Sequence, residues 1–120
     1  MRVDFYVQQG AGPAGLARLA CRLLEKAWNA GQSVCVYDPQ PEALEALDGL
    51  LWTFSDGSFL PHERLVDASS GAERAAEAPI VLTHLAPPAG LPRMLLLNRS
   101  ATVPEFASEF ERIIELIDDD

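Results

Sequence analysis

Apolar positions along this chain alternate between two spacings, and the alternation recurs nearly from end to end. Val3-Asp4-Phe5-Tyr6-Val7 is a short β-rich run that ends in Gln8-Gln9-Gly10. From Pro13 to Asn29 the spacing becomes three and four. Leu16, Leu19, Ala20, Leu23, Leu24, Ala27 and Trp28 then mark one stripe of an amphipathic helix, with Gly31 as its C-terminal stop. Ser33 to Tyr37 reads as a second strand. Pro41 suits the first turn of the next helix, which runs to about Trp52 with Leu44, Leu47, Leu50 and Leu51 inward. A polar, small-residue stretch from Asp67 to Glu77 reads as a surface loop or a ragged helical turn. Pro79 to Thr83 and Met94 to Asn98 are continuous apolar runs, as expected of strands covered on both faces, with a proline-rich loop from Pro87 to Pro92 between them.

The last segment reads as a helix. Thr102 and Glu105 stand in the capping-box relation, Pro104 sits in the first turn, and Val103, Phe106, Phe110, Ile113, Ile114 and Ile117 make an apolar face. Strands alternating with amphipathic helices predict one α/β domain over residues 1–120. It would be a three-layer α/β/α, Rossmann-like arrangement with a mostly parallel sheet and helices on both sides.

Composition adds exclusions. The 120 residues are 48% apolar and 22% charged, ordinary for a globular protein of one domain. The absence of a long apolar run and the acid at Asp4 suggest a cytoplasmic location. Cys21 and Cys35 lie inside apolar segments and read as buried thiols. The net charge of −9 opposes direct, nonspecific DNA binding, which needs a basic footprint. Seven acids fall in residues 105–120 against one base, Arg112, as on a solvated helix face. Arg18, Arg22 and Lys26 form a basic line at four-residue spacing, either a solvated face or a docking stripe for an acidic peptide.

Two stretches carry candidate chemistry. Gly10-Ala11-Gly12-Pro13-Ala14-Gly15 matches G-x-G-x-x-G between a strand and a helix, and Asp38 follows the second strand. In a dinucleotide fold Gly10, Gly12 and Gly15 would let the backbone approach a pyrophosphate, with Asp38 on a ribose of NAD or FAD. Against this, two glutamines loosen the turn, and the chain has no room for the second half of such a domain. A loop that merely joins strand to helix explains the same letters. His62 and His84 have no carboxylate–nucleophile arrangement at a recognisable spacing, and no metal-ligand spacing is present, so neither catalytic residues nor metal sites are expected. The second stretch, Leu50 to His62, gathers Trp52, Phe54 and Phe59 around a Gly57 turn, suggesting a core plug or a docking surface.

Leu19-Ala20-Cys21-Arg22-Leu23-Leu24-Glu25-Lys26-Ala27-Trp28-Asn29-Ala30-Gly31 resembles the first helix of the bacterial DNA polymerase III chi subunit family. Leu50-Leu51-Trp52-Thr53-Phe54, Ser58-Phe59-Leu60-Pro61-His62 and the later strands follow in that family's order. The resemblance implies a non-catalytic, cofactor-free accessory of the polymerase. It would pair with the psi subunit of the clamp loader and bind the acidic tail of single-stranded DNA-binding protein. It places the psi-binding residues on Trp52, Phe59, Leu60, Pro61 and His62. It places the apolar floor of the tail pocket near Phe110, Ile114 and Ile117. The family usually continues into a basic, aromatic-bearing helix where this sequence reads Asp118-Asp119-Asp120, so tail binding would be weak, would use other bases such as Arg112, or would be lost.

Overall fold

The computed structural model describes residues 2–8, 10, 12–53, 61–65, 79–87, 91–100 and 102–118. It comprises β1 (Arg2–Gln8), α1 (Gly12–Asn29), β2 (Val34–Tyr37), α2 (Pro41–Thr53), β3 (His62–Leu65), β4 (Ile80–Thr83), β5 (Leu95–Asn98), a 3-10 turn (Glu105–Glu109) and β6 (Arg112–Asp118). The six strands form one open sheet in the order β1-β6-β5-β2-β4-β3, and every pair is parallel. The α/β expectation holds.

Local chemistry sets the helix ends. At the end of α1, Gly31 takes φ +76°, its N–H donates to the Trp28 carbonyl at 3.0 Å, and that of Gln32 donates to the Ala27 carbonyl at 3.0 Å. This closing motif needs a left-handed residue, which glycine supplies without a Cβ penalty. Before α2, the Asp38 carboxylate accepts from the Gln40 N–H at 3.0 Å, and Pro41 starts the helix where its missing N–H costs nothing.

Crossover direction decides which face each connection covers. From β1 through α1 to β2, and on through α2 to β3, the chain moves one way across the sheet; from β4 to β5 to β6 it moves back. Right-handed crossovers put outward connections on one face and returning ones on the other. Accordingly α1 and α2 share one core. Ala20, Cys21, Leu24, Leu44, Leu47 and Leu51 pack there with Val36, Leu82, Leu97 and Ile114. On the opposite face Cys35, Leu96 and Ile113 are covered by Ala107 and Phe110 of the returning segment. Phe106 meets Tyr37 edge to face at 5.0 Å. Among the described residues that second layer is a 3-10 turn, not the α-helix expected.

The last segment is thus the main correction. No helix spans Thr102 to Ile117. The 3-10 turn is preceded by Pro104 with no side-chain cap, so the Thr102–Glu105 capping box does not form, and Phe110 is already extended. Arg112–Asp118 inserts as a strand between β1 and β5. Ile113 and Ile114 then point to opposite faces and are buried in different clusters. A strand buried on both faces is apolar at consecutive positions, which mimics a helical stripe. β3 was not foreseen because His62-Glu63-Arg64-Leu65 is polar, as suits a strand that, among the described residues, stands at the sheet edge and pairs only with β4.

Both thiols are buried. Burial pushes Cys21 up to about 11 and Cys35 up to about 12 from an ordinary 9.0. The unfolded chain ionises its thiols near pH 9 while the folded one keeps them neutral, so their contribution is intact below about pH 9 and declines above it. Denaturant midpoints at about pH 7.5, 9 and 10.5 are expected to fall across the upper interval. The fall should be smaller in a Cys21→Ala, Cys35→Ala double variant; an equal fall would assign the effect to other groups.

Candidate functional site

A parallel sheet has two distinct ends, and the candidate residues divide between them. At the carboxyl ends of the strands, where open α/β sheets bind ligands, the polar groups are already engaged. Thr83 Oγ1 donates to the Leu85 carbonyl at 2.9 Å and accepts from its N–H at 3.0 Å. Asn98 Nδ2 donates to Glu115 Oε1 at 3.0 Å and to the Thr102 carbonyl at 3.2 Å, while its Oδ1 accepts from the Ser100 hydroxyl at 2.8 Å. Asp38, buried, also lies 3.8 Å from Arg99 Nε. Arg99 Nη1 has no partner, but it is sealed from solvent.

The sheet order separates the dinucleotide candidates. Gly10 and Gly12 follow β1, whereas Asp38 follows β2, with β6 and β5 lying between. A ribose carboxylate belongs on the strand beside the glycine loop. Gly10 and Gly12 take φ +64° and +68°, which accounts for glycine at both by backbone conformation, and Gly15 lies within α1. Gly10, Gly12, Gly15 and Asp38 are therefore not brought into one site.

At the amino end, beside edge strand β3, the geometry is different. Trp52 sits on the last turn of α2 and is 56% exposed, so it is not a core plug. One helical turn earlier stands Asp48. His62, opening β3, donates from Nε2 to Asp48 Oδ1 at 2.5 Å, with its side chain only 3% exposed. The Trp52 and His62 rings lie 5.3 Å apart at a 58° tilt. A buried, hydrogen-bonded imidazole thus backs an outward indole, and Pro61 is half-buried beside it. Sequence spacing could not reveal Asp48, because its partner is fourteen residues away. Phe59 and Leu60 lie outside the described residues.

The expected apolar floor for a peptide tail is not one surface. Phe110 and Ile114 are both buried, in clusters on opposite faces of the sheet; the side chain of Ile117 lies outside the described residues. Arg112 donates from Nε to Asp4 Oδ2 at 2.5 Å, and that bond holds the Asp4 carboxyl below its usual range. Arg18, Arg22 and Lys26 are exposed along α1. Among the described residues no group of three or more His, Cys, Asp or Glu could hold a metal, and no helix is long and apolar enough to cross a membrane.

The profile of the family described as "DNA polymerase III chi subunit, HolC" matches residues 1–120. The DNA polymerase III subunit chi of Pseudomonas aeruginosa is 41% identical over 116 residues, covering 97% of this chain and 76% of that protein. Its counterpart from Haemophilus influenzae is 27% identical over 118 residues, covering 98% of this chain and 78% of that protein. The chain belongs to the DNA polymerase III chi subunit family.

Asp48→Ala removes the partner of a buried ring nitrogen and is expected to cost ~1–3 kcal/mol in urea denaturation. Trp52→Ala, on an exposed side chain, should change stability by less than about 1 kcal/mol. Comparable losses at the two positions would return Trp52 to the core. NAD at about 1 mM is expected to leave the melting temperature unchanged, since no assembled site exists to link binding to folding.

Proposed function

We propose that this chi-family chain is a non-catalytic accessory subunit of DNA polymerase III. It would act in the cytoplasm, holding the psi subunit of the clamp loader at the Trp52–His62 corner. One observation carries the reading: a large aromatic stands 56% exposed on a helix end and is buttressed by a buried imidazole hydrogen-bonded to a half-buried carboxylate. An indole fixed in this way loses little side-chain entropy on binding, and such residues anchor interfaces. Phe59, Leu60 and Pro61 join it in sequence and complete the expected psi-binding segment. The function does not draw on the glycine loop.

Binding of the single-stranded DNA-binding protein tail is the weaker arm of the proposal. Its support is charge alone: Arg18, Arg22 and Lys26 offer an acidic peptide a basic line. Phe110 and Ile114 are not assigned to it, being buried on opposite faces.

Titration of purified chain with psi from the same organism tests the main claim. Trp52→Ala is expected to weaken binding roughly thirtyfold or more while circular dichroism stays native. Arg22→Glu should leave psi binding unchanged. Unaltered psi affinity in folded Trp52→Ala would sink the assignment of this corner.

A further inference from the structure

The exposed side of α2 carries one sign of charge. Glu42, Glu45, Gly49 and Trp52 are exposed and follow one another at spacings of three, four and three, so they share one ridge of the helix. Ten residues of helix make that ridge about 15 Å long. From Ala27 to Glu63 the chain holds six acids and no lysine or arginine, its longest run without a base. Asp48 is committed to His62, whereas the described ion pairs leave Glu42 and Glu45 out.

Gly49 sits in the middle of this ridge, one turn before Trp52. Its φ is not among the positive values, so the backbone conformation does not require glycine. Among the described residues a Cβ built there meets nothing within 4 Å, so no internal contact requires it either. Inside a helix glycine is less stable than alanine, and its remaining use is to let another backbone come close.

We propose that the partner seated on Trp52 contributes an amphipathic helix with a basic flank, laid along α2 and passing closest at Gly49. The inference rests on the reading of the Trp52–His62 corner as a docking surface and adds the chemistry of what docks there. An apolar side chain of that helix would cover Trp52. Lysine or arginine one and two to three turns further along would face Glu45 and Glu42. Without such bases the contact would take two carboxylates out of water with no counter-charge. A second copy of this chain laid on the same ridge would set acids against acids. The missing side chain at Gly49 lets the two axes approach toward the short end of the ~8–10 Å range of packed helices.

Titration of the purified full chain with the psi subunit of the same organism, at about 50 and 300 mM NaCl, tests this. Binding is expected to weaken roughly fivefold or more at the higher salt. Joint Glu42→Lys and Glu45→Lys substitution should weaken it roughly tenfold or more at the lower salt. Glu105→Lys with Glu111→Lys makes the same change of charge at exposed positions of the returning segment and should leave affinity within about twofold. Gly49→Ala is expected to raise the melting temperature by about 2–5 °C and yet weaken binding roughly fivefold, and Gly49→Gln should weaken it further. Opposite signs on stability and affinity are what a merely structural glycine would not give. Binding indifferent to salt overturns the proposal. So does unchanged affinity in the Glu42, Glu45 double variant or in both Gly49 variants, and so does self-association of the chain that Gly49→Gln abolishes. If Trp52→Ala weakens binding while these variants do not, the docking corner stands and this proposal alone falls; unchanged affinity in Trp52→Ala removes both.

Discussion

The pairing of the first strand with the last is the contact on which the rest of the sheet edge depends. Among the described residues, residues 2–8 have no other ladder, so β1 joins this sheet when residues 112–118 have entered beside it. The register brings Asp4 and Arg112 into a hydrogen-bonded ion pair across 108 positions of sequence. Closing a loop of that length costs chain entropy before any contact offsets it. The cost falls on an all-parallel topology, in which most pairings are distant in sequence. What offsets it is burial on both faces: Ile113 and Ile114 each fill a different core as β6 slots between β1 and β5.

The two ends of the sheet also differ in their chemistry. At the carboxyl ends, Asp38, Thr83 and Asn98 turn their polar groups into loop and cap bonds. With β6 and β5 interposed, the glycine loop and Asp38 sit on strands too far apart to hold one ligand. At the amino end, the α2 terminus and edge strand β3 project Trp52 outward over His62. A fold of a type that often binds nucleotides thereby carries an exposed aromatic corner at the opposite end of its strands.

Much of this was legible from residue pattern. The α1 stripe, the stop at Gly31, the proline start of α2 and the apolar runs of β4 and β5 all express local preferences that packing reinforces. The failures have two causes. Phe110 to Ile117 carry a helical spacing that a strand buried on both faces reproduces by chance, and Ile113 beside Ile114 suits either. His62 to Leu65 lacks any apolar alternation because an edge strand does not need it. The candidate site was half visible: Trp52 and His62 stood out by residue type, whereas Asp48 acquires meaning only once β3 places His62 within hydrogen-bond reach of it.

The sequence by itself determined the class of the fold, because alternating two-residue and helical periodicities commit each segment to burying one face or two. It also determined family membership, through ordered motifs spread along nearly the whole chain. Tertiary structure alone decided that the last segment is a strand, since a gap between β1 and β5 rewards two hydrogen-bonded ladders that no isolated segment can form. It alone decided which aromatic is core and which is surface. Phe110 and Trp52 are equally apolar letters, and only the direction of the chain crossovers turns one, on the returning segment, down onto the sheet and leaves the other exposed.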